Sequence, residues 1–128
     1  MSNRKILVVD DEKAIRNMFE QAFIRGGYKV RTAASAEEAL ELLKGEKIQV
    51  MFLDLNMPWM NGIDLCKEIR KDFPMAIIHA VTGYYSLFEL ADCREAGFDD
   101  YFTKPADLKM LLNAAQDAFE KIDRWKKR

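Results

Sequence analysis

Cysteine is scarce in this sequence: Cys66 and Cys93 are the only two, in neither a CxxC pair nor the density of a disulfide scaffold. That excludes a disulfide framework and a thiolate metal knuckle, and leaves each as a free thiol on a helix face. No apolar run approaches the roughly 18–20 residues of a membrane span. Nor is there a signal-peptide core, because Met1-Ser2-Asn3-Arg4-Lys5 leads straight into a short aliphatic stretch. A cytoplasmic protein without membrane contact is expected. Neither sign of charge prevails: 20 Lys and Arg stand against 21 Asp and Glu, so no overall field favours nucleic acid or an anionic bilayer. The one cationic cluster, Arg124, Lys126, Lys127 and Arg128 around Trp125, reads as a solvated helix end whose charge suits the macrodipole. His79 is the only histidine. With no second His or Cys nearby in sequence, it reads as a packed strand residue rather than a ligand.

What is present is regular patterning. With 128 residues and 49% apolar content, the chain suits a single domain, 1–128, with one core. Five short apolar or β-branched runs, 6–9, 28–32, 50–53, 76–81 and 100–103, alternate with five helical patterns. The buried stripes are Ile15, Met18, Phe19, Ala22 and Phe23 in the first helix, and Ala39, Leu40 and Leu43 in the second. Leu65, Cys66, Ile69 and Phe73 form the third stripe, and Leu90, Ala91 and Cys93 the fourth. The fifth is the strongest: Leu108, Leu111, Leu112, Ala115, Phe119 and Ile122. Gly26-Gly27, Gly45, Pro74 and Gly97 punctuate these elements. Ser35-Ala36-Glu37-Glu38 and Ser86-Leu87-Phe88-Glu89 have capping-box form. Repeated βα units with short connections imply an α/β fold: a parallel five-stranded sheet with helices on both faces.

The polar residues fall where strands end. Asp10-Asp11-Glu12 follows the first strand, Asp54 the third and Thr82 the fourth; Lys104-Pro105 follows the fifth. In the flavodoxin-like strand order 2-1-3-4-5, the topological switch point lies between strands 1 and 3, so Asp10, Asp11 and Asp54 face one crevice. Crowded carboxylates repel one another and call for a cation, and a hard divalent ion such as Mg²⁺ suits oxygen donors. Each residue also has a plainer reading. Asp11 or Glu12 could cap the following helix, Lys104 could be a solvated lysine, and Thr82 an ordinary β-branched strand end. Asp54 is followed by Leu55-Asn56 rather than a helical stripe, so capping explains it less well. A cis Lys104-Pro105 bond would turn the chain over the crevice.

Along nearly its whole length the chain resembles the receiver domains of two-component response regulators. Three segments carry the resemblance: 6–12, ending in Asp10-Asp11-Glu12; 54–62, Asp-Leu-Asn-Met-Pro-Trp-Met-Asn-Gly; and 96–105, ending in Thr103-Lys104-Pro105. It implies that Asp54 accepts a phosphoryl group. It also implies that Asp10, Asp11, Asp54 and the Asn56 backbone carbonyl hold Mg²⁺, with Asp10 acting largely through metal-bound water. Thr82 and Tyr101 become the switch residues, Lys104 the partner of Asp54 or its phosphate, and Pro105 the cis proline. The implied partners are a sensor histidine kinase or phosphotransfer protein upstream, and a protein partner or fused output domain downstream. A phosphorylation-dependent dimer through the fourth helix, fifth strand and fifth helix is also implied. Catalysis would extend only to self-phosphorylation and hydrolysis at Asp54.

Tyr84 and Tyr85 are expected to flank the crevice, with Tyr84 a candidate for tuning water access. Trp59 is expected to be exposed, while Phe88, Leu90 and Phe102 are expected to be core residues near the signalling face. Two other readings remain. A phosphatase with an Asp nucleophile on a similar sheet would want a second Asp two residues after Asp54, where this chain has Asn56. A flavin- or nucleotide-binding domain would want a glycine- or hydroxyl-rich loop after the first strand, where this chain has three acids.

Overall fold

The structure, a computed structural model, describes residues 4–83 and 86–126. The expectations for Tyr84, Tyr85 and the Phe88 side chain, and for Lys127 and Arg128 in the terminal cluster, lie outside the described residues. Five strands and five helices alternate: β1 Lys5–Val9, α1 Lys13–Arg25, β2 Lys29–Ala33, α2 Ala36–Gly45, β3 Val50–Asp54, α3 Gly62–Asp72, β4 Ile77–Thr82, α4 Leu87–Ala96, β5 Asp100–Thr103 and α5 Leu108–Lys126. All strand pairs are parallel, in the order β2-β1-β3-β4-β5.

Strand alternation divides the core. Ile6, Val8, Val50 and Phe52 pack with Phe19, Phe23, Leu111, Ala115 and Phe119, which sets α1 and α5 on one face. Leu7, Val9, Met51 and Leu53 pack with Ala39, Leu43, Leu65, Cys66, Ile69 and Ala96, placing α2, α3 and α4 on the other. β1, β3 and β4 are apolar on both sides because both sides are covered.

The local signals act as their chemistry dictates. The hydroxyls of Ser35 and Ser86 accept hydrogen bonds from the backbone N–H of Glu38 and Glu89, capping α2 and α4. Gly97 ends α4 at φ 100°, a conformation that disfavours any side chain. Cys66 and Cys93 are free and buried, and burial pushes each thiol up to about 11, so both are inert. His79 is buried, its ring stacked 4.1 Å from that of Phe52 and its Nδ1 2.9 Å from the Met51 carbonyl.

The structure differs from the sequence pattern at several points. Asp54 and Thr82 are the last residues of their strands rather than the residues after them, since the ladder pairs Asp54 with Val81 and Thr82 with Thr103. Tyr28 lies outside β2: its N–H satisfies the Phe23 carbonyl at the end of α1 and its ring stacks on Phe119. Ala91 is exposed, as is Leu108. α4 covers the sheet mainly through Cys93 and Ala96, and Leu108 sits in the first turn of α5, ahead of the buried stripe that begins at Leu111. Phe102 is half-buried against the α1–α5 core.

Candidate functional site

The carboxyl ends of β1, β3, β4 and β5 deliver one polar cluster. Asp10 follows β1 and is 3% exposed, and Asp54 closes β3 with the same exposure. Between them stands Lys104, at the end of β5. Its ammonium donates to Asp10 Oδ2 at 2.8 Å and lies 3.6 Å from Asp54 Oδ1. The next peptide bond, Lys104-Pro105, is cis. Backbone donors fix both carboxylates: Glu12 N–H donates to Asp10 Oδ1 at 2.9 Å and Asn56 N–H to Asp54 Oδ1 at 3.1 Å.

Burial is the largest influence on Asp54 and the charge of Asp10 adds to it; together they push its pKa up to about 6 against the pull of Asn56 N–H and Lys104. Burial acts on Lys104 in the direction of a lower pKa. The hydrogen bond to Asp10 and the field of Asp54 outweigh it, so the ammonium is held more firmly than usual. The site therefore carries a reluctant carboxylate beside a firmly charged lysine.

Asp11 and Glu12 are exposed at the mouth, and one carboxylate oxygen from each of Asp10, Asp11 and Glu12 lies within 4.8 Å of the others. Glu12 stands at the N-cap of α1 but makes no side-chain cap bond. Its carboxylate thus stands in the acidic group, as the run of three consecutive acids suggests, and does not cap α1. The donors are all oxygen, with neither sulfur nor imidazole in the group, and this chemistry fits Mg²⁺.

Thr82 is fully buried, and its Oγ1 accepts from Asn56 Nδ2 at 2.9 Å. Asn56 thus tethers the threonine through its side chain, a contact between residues 26 apart that local pattern does not announce. Tyr101 is half-buried in β5, its hydroxyl donating to Glu89 Oε1 of α4 at 3.0 Å. In the sequence Glu89 is marked only by its capping-box position, and its side chain serves a second purpose as the acceptor for Tyr101. Gly62 opens α3 so tightly against β3 that a Cβ there would lie 2.3 Å from the Asp54 carbonyl oxygen. Trp59, in the loop between them, is 94% exposed at φ 69°.

Residues 6–116 match the response regulator receiver domain family. The chain belongs to that family. It is 41% identical over 80% of its length to the alkaline phosphatase synthesis transcriptional regulatory protein PhoP of Bacillus subtilis, covering 43% of that protein. Among solved structures, a CheY-like receiver domain protein from Methanospirillum hungatei is 34% identical, superposes with a TM-score of 0.89 and is covered to 98%, as is this chain. A Burkholderia pseudomallei response regulator crystallised with a phosphorylated aspartic acid, a calcium ion and citrate is 29% identical with a TM-score of 0.83; the match covers 97% of this chain and 73% of that one. The chain spans about half the length of the curated relatives it matches, from 43% to 51%. As a receiver domain of two-component signalling, it carries the acidic pocket at which such domains hold Mg²⁺. Among the described residues no helix is long and apolar enough to cross a membrane.

Proposed function

We propose that residues 1–128 form a single phospho-receiver that accepts a phosphoryl group on Asp54 from a histidine kinase or phosphotransfer protein in the cytoplasm. The observation that carries this reading is Lys104 set between Asp10 and Asp54, two buried carboxylates from different strands. An Asp54 oxygen attacks phosphorus, the P–N bond to the donor imidazole breaks, and the leaving nitrogen keeps the electron pair and takes a proton from solvent. Lys104 faces the oxygens on which charge accumulates. Asp10, Asp11, Asp54 and the Asn56 backbone carbonyl would hold Mg²⁺, which supplies further charge neutralisation at the transferring group. The phosphorylated aspartate and calcium ion of the Burkholderia relative support the assignment.

The product places a dianion beside Thr82 and Asn56. A new acceptor there competes for the Thr82 hydroxyl, and the inward move of Thr82 opens space for Tyr101 to leave Glu89. Leu87 and Met110, 72% and 55% exposed on α4 and α5, lie on the surface this repacking alters. That surface serves a downstream protein, a fused output domain or a second copy. No separate substrate is turned over, and hydrolysis of the acyl phosphate resets the site.

The test is incubation with a small acyl phosphate and Mg²⁺ followed by intact-mass measurement. One metal-dependent phosphoryl adduct, lost in Asp54→Asn, is expected. A folded protein that takes no adduct under these conditions overturns the reading.

A further inference from the structure

A second concavity lies at the opposite end of the sheet, where β4 begins rather than ends. It has a volume of about 450 Å³ and is walled by the α3–β4 connection and the last turns of α5. Met75 and Trp125, 60% and 55% exposed, form its apolar sides, with Ile77 and Ile122 behind them. Lys121 and Lys126 stand on the α5 wall, and among the described residues neither ammonium has an ion-pair partner.

The remaining charges are already committed. Arg70 donates to the carbonyls of Pro74, Ala76 and Gly97 and to Asp99 Oδ2, and Asp99 also accepts from the Ile78 N–H. This clamp joins α3, the start of β4 and the turn before β5 into a fixed floor with its charges mutually cancelled. The two lysines therefore set the field of the cavity, in a chain whose net charge is −1. A preformed concave site of a few hundred cubic ångströms, with apolar walls and a few polar groups, has the build of a small-ligand pocket.

We propose that this cavity binds a small amphipathic anion, with a flat apolar body against Trp125 and Met75 and a carboxylate facing Lys121 and Lys126. Charge complementarity selects this ligand class. A cation would be repelled, and a neutral apolar molecule would leave the lysines without a partner. The site is separate from the Asp54 pocket by the length of β4, and its occupation does not depend on phosphorylation.

The test uses naphthoate as the probe, followed in the amide NMR spectrum of the whole protein without acyl phosphate. Saturable shifts confined to Met75, Ile77, Ile122 and the Trp125 indole N–H are expected. The double variant Lys121→Gln, Lys126→Gln, whose own spectrum reports that it is folded, should bind about fivefold more weakly, the scale of two solvent-facing charge contacts. Neutral naphthylmethanol should bind wild type no better than naphthoate binds the variant. The proposal is overturned if shifts are absent up to a few millimolar probe or centre on another surface. It is equally overturned if naphthylmethanol matches naphthoate, or if the double variant binds naphthoate as wild type does.

Discussion

Lys104 is closer to Asp10 than to Asp54: its ammonium lies 2.8 Å from the first carboxylate and 3.6 Å from the second. The lysine thus joins the two carboxylates of the acidic pocket and does not pair with Asp54 alone. Removing it leaves two buried carboxylates facing each other without compensation, a change that costs several kcal/mol where desolvation is extensive. Lys104→Ala should therefore lower stability by about 2–4 kcal/mol without Mg²⁺, and Mg²⁺ should restore part of the loss. We expect the variant to accept phosphoryl groups slowly but not to propagate the change. Intact mass would show the adduct, while the NMR shifts of α4 and α5 would stay in the unphosphorylated pattern. Shifts matching phosphorylated wild type would refute this.

Asp54→Asn should stabilise the protein at neutral pH. The folded pKa of about 6 lies above the ordinary 3.8, so ionising Asp54 is harder in the fold than in the unfolded chain. Below about pH 3.8 both states hold the proton and the residue contributes nothing. Between 3.8 and 6 the unfolded chain ionises first and stability falls; above 6 the cost is complete. At about 1.4 kcal/mol per pKa unit the gain in the variant is on the order of 1–3 kcal/mol at pH 7, with the weakened contact to Lys104 subtracting from it. Thermal melts of both proteins should diverge at pH 7 and converge near pH 4. A variant no more stable than wild type at pH 7 would show that burial does not strain Asp54.

The fold and most of the site were legible because they rest on short-range pattern. Asp54 and Asp10 stand out as charges ending apolar runs, and α/β alternation fixes the edge at which they meet. Contacts between residues remote in the chain were not legible. Nothing in Glu89 or Tyr101 alone indicates that their side chains meet 3.0 Å apart, and no local pattern around Asn56 indicates that its side chain tethers Thr82, 26 residues away. Exposure is not legible in the sequence where a helix meets the sheet over only part of its length. Ala91 falls on the apolar list of α4, yet that helix buries chiefly Cys93 and Ala96, and periodicity alone does not reveal how deep an edge helix sits.

Magnesium should raise the melting temperature of wild type by relieving repulsion among Asp10, Asp11, Glu12 and Asp54. Binding to the folded state alone adds about 2.7 kcal/mol at a hundredfold excess over the dissociation constant, enough for a rise of several degrees in a domain of this size. The rise should shrink in Asp54→Asn and Asp11→Asn, each of which removes one negative charge. An unchanged melting temperature in millimolar Mg²⁺ would remove the metal assignment while leaving the fold untouched.

Two glycines provide opposed expectations from the same substitution. A Cβ at Gly62 would meet the Asp54 carbonyl oxygen at 2.3 Å and the Leu55 Cα at 2.9 Å, both backbone atoms that cannot rotate aside. Gly62→Ala must push α3 away from the end of β3 and displace Asp54, so a loss of roughly 1–3 kcal/mol should accompany slower phosphoryl acceptance, if Asp54 is the acceptor we propose. Gly45 closes α2 with nothing within 4 Å of an added Cβ and no positive φ. There alanine restricts the unfolded chain more than the folded one, and Gly45→Ala should gain about 0.4–1 kcal/mol with acceptance unchanged. Denaturant melts give the two signs, and adduct formation over time gives the rates. If Gly62→Ala matched wild type in both, the close approach of α3 to Asp54 would have no part in positioning that carboxylate.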